Sequence, residues 1–307
     1  MKMPDFMTDA QTVSFLNPQI MRINTEIMQL KYPAFDYADF LFVDRSGDMW
    51  DAGSVFFSGD VAGKPEFFST ANFDMPYADV SQSQFLQENY MAALGYTWHR
   101  SEIERAARAG QNLTSRKASA ATRIAEQFKH SIALLGIAEK PAMATGLFNS
   151  PLVPTATIAG GLFSAQTPDA ILTIVNAAIN APEAATKETY RSNTIAFPTS
   201  IYNYLSTTRL GATNDKTIMS FLRETNVIGP SLRILKSRHL ETAGAGGTKR
   251  MMAYANEADV VQFHLPGDYE LGQAWQKGPY VWEVPGIMNI GGTEWRIPSA
   301  AVYRDGL

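Results

Sequence analysis

Residues 101–151 read SEIERAARAGQNLTSRKASAATRIAEQFKHSIALLGIAEKPAMATGLFNSP. Ser101 and Glu104 have the spacing of a capping box, in which the serine oxygen accepts from the N–H three residues on and the glutamate reaches back to the serine N–H. A short helix is therefore predicted through Ala109, with Gly110 interrupting it. Asn112 or Thr114 supplies the side-chain oxygen an N-cap needs, and a second, longer helix comes next. In it Ala120, Ala121, Ile124, Ala125, Phe128, Ile132 and Leu135 recur at spacings of three and four as one apolar stripe. Arg116, Lys117, Arg123, Glu126, Gln127 and His130 fill the opposite face, and Gly136 predicts the stop. At 1.5 Å per residue, positions 114–135 make a rod of roughly 33 Å. The alanines make the stripe shallow, so surfaces packed on it can approach closely. On its own this is an amphipathic core helix.

The segment after the helix narrows the reading. A Pro-broken connector leads to Gly146-Leu147-Phe148-Asn149-Ser150-Pro151, then Val153-Pro154 and a Thr/Ala/Gly-rich run to Gly161. Thr167 caps a further helix with Pro168 at its first position. Upstream, Gly95-Tyr96, Glu102, Ala106, Gly110, Leu113, Lys117 and Ala120-Ala121 stand in a fixed order, and the chain closes on Gly291-Gly292, Arg296-Ile297-Pro298 and Tyr303-Arg304-Asp305-Gly306. In these three anchors the sequence resembles the major capsid proteins of tailed bacteriophages, and within them a branch known only as a domain of unknown function, with the Hong Kong 97-like fold.

The resemblance implies an α+β fold with an N-terminal arm (1–39), an E-loop hairpin (40–76), a P-domain with a long spine helix (77–150), an A-domain (151–276) and C-terminal strands returning to the P-domain (277–307). It implies a structural protein, not an enzyme, that self-assembles through pentamers and hexamers into an icosahedral shell around a double-stranded DNA genome. Its partners would be copies of itself, with scaffolding, portal and decoration proteins, and it would enclose DNA without sequence-specific binding. No cofactor and no membrane are implied. The location would be the virion capsid, after synthesis and assembly in the bacterial host cytoplasm. Lys64 lies near the E-loop turn, where some family members cross-link a lysine to an asparagine; no partner asparagine is identified, and no cross-link is expected.

The residues of the extensions agree with a protein whose function lies in interfaces. Residues 1–35 carry scattered apolar positions, Phe15 among them, without a sustained period, so the segment buries little against itself and either frays or lies along another surface. Residues 40–43 and 49–57 read as strands, with 45–48 as the turn between them. Five of the 17 phenylalanines fall between Phe56 and Phe73. Exposed apolar hairpins are a liability in a monomer and usually form an interface. Phe15, Trp50, Phe56, Phe57, Phe67, Phe68 and Phe73 are accordingly the candidate intersubunit contacts.

In the second half, Ile171, Ile174, Val175, Ala178 and Ile179 form the stripe of a helix that Pro182 is expected to end. Beyond it stands a strand at 193–198, after which the resemblance implies a helix at 216–225 and a strand at 231–236, and then come buried strands at 251–254 and 260–266. The tail alternates Tyr280, Trp282 and Val284 and is expected to return to the central helix.

Other chemistries find little support. The chain has 307 residues, enough to bury about 75% of its unfolded surface. The formal charge of −4 argues against a protein that grips nucleic acid through a basic face. With no cysteine there are no disulfides and no thiolate chemistry. No apolar run is long enough to span a bilayer, and the acidic first nine residues are not expected to be a secretory signal. Asp44, Asp48 and Asp51 miss the calcium-loop spacing. The run from Gly244 to Lys249 lacks both the Walker spacing and the third glycine of a dinucleotide fingerprint, and reads as a mobile surface loop. His99, His130, His239 and His264 are spread one to an element, without ligand spacing. Two alternatives stay open at this level: an encapsulin-type bacterial nanocompartment shell of the same fold, and a monomeric α+β hydrolase, since carboxylates distant in sequence can meet in a fold.

Overall fold

The computed structural model of the chain describes residues 35–62, 64, 77–108, 110, 112–211, 214–226 and 228–307. The long helix runs Leu113–Leu135, with Asn112 Oδ1 accepting from the Ser115 N–H at 3.1 Å. It ends at Gly136 (φ 75°), whose N–H still reaches the Ile132 carbonyl. The Gly-Leu-Phe-Asn segment then doubles back across the helix end. Leu147 N–H donates to Ala133 O and Phe148 N–H to Leu134 O, both at 3.0 Å. Asn149 donates through Nδ2 to Leu135 O and accepts through Oδ1 from the Gly146 N–H, both at 2.7 Å. Three carbonyls that a helix terminus leaves open are thus satisfied. Gly146 is required there because a Cβ would lie 2.4 Å from the Leu134 carbonyl carbon.

In chain order, a one-turn helix α1 (Tyr37–Phe40) leads to β1 (Phe42–Asp44), β2 (Gly53–Ala62), β3 (Asp79–Glu88), β4 (Tyr90–Ala93) and β5 (Tyr96–His99). Next come α2 (Arg100–Arg108), the long helix α3 (Leu113–Leu135), β6 (Thr155–Thr157) and α4 (Pro168–Ala185). The segments β7 (Thr194–Pro198), α5 (Thr199–Thr207), β8 (Arg209–Gly211), β9 (Asn214–Thr217), α6 (Ile218–Thr225) and β10 (Arg233–Ser237) come after these. The chain then runs through β11 (Arg250–Tyr254), β12 (Val261–His264), β13 (Gly267–Leu271), β14 (Trp275–Gly278), β15 (Val281–Val284), β16 (Gly286–Ile290), β17 (Gly292–Trp295) and β18 (Ala301–Asp305).

A mixed five-stranded sheet, in the order β10-β7-β11-β18-β6, divides the interior into two cores. Side chains alternate across a strand with period two. Ala196, Met252, Tyr254, Ala301 and Tyr303 therefore face the core that holds α3, Leu147 and Phe148. Ile195, Phe197, Met251, Ala253 and Val302 face the core of α4, α5 and α6. Strands β7 and β11 are buried on both faces, which explains their unbroken apolar composition. Three smaller sheets, β1-β12-β17, β13-β16-β4 and β14-β15-β5, extend along α3. Thr293 Oγ1 on β17 donates to Ala133 O of α3 at 2.8 Å.

Several sequence expectations are corrected. No capping box forms at Ser101: α2 starts at Arg100, the Ser101 N–H donates to His99 Nδ1 at 3.2 Å, and Glu104 pairs with Arg100 at 3.1 Å. On α3, Ala120 and Ile124 are exposed while Lys129 and His130 are buried, because the second half of the helix is surrounded. β1 does not pair with β2 across a turn at 45–48; it lies parallel to β12. β2 instead pairs antiparallel with β3 over ten residues each. Pro182 does not end α4, which continues to Ala185 while Thr186 N–H and Oγ1 both donate to the Pro182 carbonyl. The run 216–225 is divided, with Lys216 and Thr217 in β9 and Thr217 capping α6. β17 does return to the long helix, but the last strand, β18, enters the five-stranded sheet. The glycine-rich loop is pinned: Gly244 N–H donates to Thr248 O (2.8 Å) and Ala245 N–H to Asp305 Oδ2 (3.1 Å).

Candidate assembly surfaces

The β2–β3 ribbon is the most exposed regular element that carries large apolar side chains. Its register places Val55 opposite Leu86, Phe57 opposite Gln84 and Val61 opposite Val80 on one face. The other face pairs Ser54 with Gln87 and Phe56 with Phe85, and carries Ser81 and Ser83. Val55, Phe57, Val61, Val80 and Leu86 are all exposed, Phe57 to 68%. A two-stranded ribbon is marginal by itself in water, and this one carries an apolar face that no other element covers among the described residues.

The ribbon's base is anchored on its polar face. Phe56 and Phe85 stack with centroids 5.3 Å apart, and the Arg296 guanidinium sits 4.8 Å from the Phe56 ring. Gln87 Nε2 donates to Ala142 O (3.1 Å) and to Gly291 O. The sequence candidates Phe56 and Phe57 thus lie on opposite faces with different tasks, one holding the ribbon to the body and the other pointing away from it. Trp50 precedes the ribbon and is 70% exposed. Phe15, Phe67, Phe68 and Phe73 lie outside the described residues. As contact residues, sequence reading missed Val55, Val61, Val80 and Leu86; the alternation of Val55, Phe57 and Val61 was the signal for two of them, whereas β3 is rich in Ser and Gln.

A second exposed surface is the β14-β15-β5 sheet, where Trp282 pairs with Trp98 across the strands and Trp275 and Tyr280 are exposed.

Behind these surfaces the body is locked by buried polar groups. Arg250 reaches Asp305 through two bonds, at 2.6 and 2.8 Å, donates to Phe148 O at 2.7 Å and lies 4.4 Å from the Tyr303 ring centroid. Lys129 of α3, fully buried, pairs with Glu126 at 2.6 Å and with Asp268 at the start of β13. Burial opposes the charge on Lys129, but its bonds to Asp268 and Glu126 outweigh it, so its pKa is raised. Asp268 is likewise opposed by burial and, through Lys129, ends below its ordinary value.

The structure also brings histidines into company that their sequence spacing hides. His264 on β12 bridges Asp44 on β1 (3.2 Å) and Glu294 on β17 (2.7 Å). The His130 and His239 rings lie 5.4 Å apart, with Asp36 3.8 Å from His130. Burial pushes both His130 and His239 below 6.5; Arg238 adds to this for each, His130 adds to it for His239, and Asp36 opposes it. Among the described residues, no group of three or more His, Cys, Asp or Glu side chains is arranged to hold a metal ion.

A pH dependence follows from the pair. Their folded pKa values lie below the unfolded 6.5, so the unfolded chain takes up protons first and stability falls as pH drops below 6.5. Asp268 and Asp44, both lowered from 3.8, surrender their contributions only below that value. Urea denaturation between pH 7.5 and 4.5 is expected to show a declining midpoint that His239→Gln flattens. A wild-type midpoint constant through this window would refute the role given to the pair.

The model of the family described as major capsid protein matches residues 63–307. No curated protein sequence matches the chain. Among solved structures, the capsid of Myoviridae phage XM1 superposes with a TM-score of 0.82 at 16% identity, over 94% of this chain and 98% of that one. Microbacterium phage Oxtober96 gives 0.65 at 9% identity over 95% and 98%, and a virus-like particle from Pyrococcus furiosus 0.52 at 12% over 87% and 91%. At such identities the superpositions establish an α+β capsid fold and no more. The family match carries the rest, since it spans well over half of the chain and displaces the hydrolase alternative in favour of a shell-forming structural role. A ribbon with an exposed apolar face, mounted on a body locked by buried ion pairs, is what a shell subunit requires, and the chain belongs to the major capsid protein family.

Proposed function

We propose that the protein assembles through pentamers and hexamers into the closed icosahedral shell of a tailed phage, around a double-stranded DNA genome. The segment 1–39 acts as an arm over a neighbouring subunit up to the point where Tyr37 buries itself in the core of its own chain. The E-loop begins within 40–76 and, given the pairing of β2 with β3, extends to Glu88. The remaining residues to 150, including α3, form the P-domain, residues 151–276 the A-domain, and 277–307 the strands that tie the two together. The observation that carries this reading is the apolar face of the ribbon, exposed at Val55, Phe57, Val61, Val80 and Leu86 in the single chain. Obligate interfaces of this kind bury about 2,000–5,000 Å² and are apolar. Trp50 and Phe57 are its described contact residues, Phe56 supports the ribbon's base, and Phe15, Phe67, Phe68 and Phe73 extend the contact. Scaffolding, portal and decoration proteins are the further partners, with assembly in the host cytoplasm and residence in the virion.

Negative-stain electron microscopy of the purified chain, with light scattering, tests the proposal. Closed shells, tubes, or rings of five or six subunits are expected. DNA in shells recovered from infected cells supports the phage, and an enzyme cargo would assign a nanocompartment instead. A chain that remains monomeric with its scaffold supplied would overturn the reading.

A further inference from the structure

Charge is unevenly distributed over this molecule. From Arg100 to Arg123 the sequence carries Arg100, Arg105, Arg108, Arg116, Lys117 and Arg123 against Glu102 and Glu104, a net +4 within a chain of net −4. No acidic residue occurs between Glu104 and Glu126. The whole-chain charge, which argues against a nucleic-acid-binding face, conceals this one.

The structure gathers these residues on α2 and the first half of α3. Helix α2 has no buried residue, and Arg105, Arg108 and Arg116 are exposed. Arg116 and Arg123 share a side of α3, about 10 Å apart along its axis. The exposed Ser115, Ser119 and Thr122 place hydroxyl groups beside them. Both glutamates are occupied locally, Glu104 with Arg100 at 3.1 Å and Glu102 with Lys117 at 2.9 Å. The first turn of α3 contains no acidic side chain of its own to offset the positive end of its dipole.

We propose that this surface binds the phosphate backbone of duplex DNA, without base readout, on the genome-facing side of the shell. The proposal rests on the capsid reading for the presence of a genome and on the charge and chemistry of this face for the contact. Arginine forks and Ser/Thr hydroxyls are the groups that meet phosphate oxygens in protein–DNA interfaces. The other candidate occupant is the ribbon of a second copy, but that ribbon's exposed side is apolar, and a face of guanidinium and hydroxyl groups is a poor match for it.

The test uses full-length protein in its unassembled form and a short random-sequence DNA duplex, with binding followed by fluorescence anisotropy across a range of salt concentrations. Wild type is expected to bind with an affinity that falls steeply with salt. The R105Q/R108Q/R116Q variant should flatten the log–log salt slope by about three and weaken binding on the order of a hundredfold at 0.1 M salt. The R105K/R108K/R116K variant keeps the charge and should keep the slope, which separates lost charge from lost folding. An unchanged slope in the glutamine variant overturns the proposal. So does a glutamine variant that binds DNA normally but forms no shells, because the face would then belong to a subunit contact. Failure of wild type itself to form shells would count against the capsid reading and not against the DNA contact measured on free protein.

Discussion

Arg250→Ala is expected to destabilise the protein by about 3–5 kcal/mol, the range for breaking a buried ion pair by removing one partner. The substitution leaves Asp305 buried without its two guanidinium bonds, takes a donor from the Phe148 carbonyl and removes the cation lying over Tyr303. Asp305 also accepts from Ala245, so the loop at 244–248 loosens with it. Arg250→Lys keeps a charge but cannot span both carboxylate oxygens and the Phe148 carbonyl, and should fall between the two. Replacing both partners with apolar residues, Arg250→Met with Asp305→Leu, should cost less than Arg250→Ala because no lone charge remains buried. Urea denaturation followed by tryptophan fluorescence measures all three. A loss below about 1 kcal/mol for Arg250→Ala would mean that water replaces the pair and that the lock is not structural.

Phe57→Asp is expected to prevent shell formation while leaving the subunit folded. The side chain is exposed in the single chain, so the cost to the subunit should be within about 0.5 kcal/mol. At an interface centre, truncation of an aromatic residue costs about 2 kcal/mol or more, and a buried charge adds to that. Each subunit of a shell repeats the penalty, so the yield of shells should drop at least tenfold. Ser83→Asp, on the ribbon's opposite face and one same-face pair beyond the Phe56–Phe85 stack, is the control and should assemble normally. Sucrose-gradient sedimentation with electron microscopy reads the result. Normal shells from Phe57→Asp would remove the ribbon's apolar face from the assembly interface.

These expectations mark how far the sequence could be read. Helix α3 was legible to within a residue, because Asn112 caps it and its apolar period is sustained. Its buried surface was only partly legible. Lys129 is buried through Asp268, 139 residues away, and no local pattern announces such a partner. The Gly-Leu-Phe-Asn segment was recognised as a motif, but its work as a cap on the helix end appears only with the backbone in place. The first arm of the ribbon was found as a strand, whereas its partner β3, with the sequence DVSQSQFLQE, lacks the β-branched density that marks strands. Pairing of β1 with β12, more than 200 residues apart, was likewise invisible to local pattern. The histidine clusters were missed for the same reason: each residue sits alone on its element and meets its partners only through the sheets.

The place of β18 has a consequence for timing. It lies inside the five-stranded sheet, between β11 and β6, and both cores rest on that sheet. A nascent chain that has exposed everything up to β17 still lacks the strand that holds β6 to the sheet and supplies Ala301, Val302 and Tyr303 to the two cores. The body therefore cannot close until residue 305 has emerged from the ribosome.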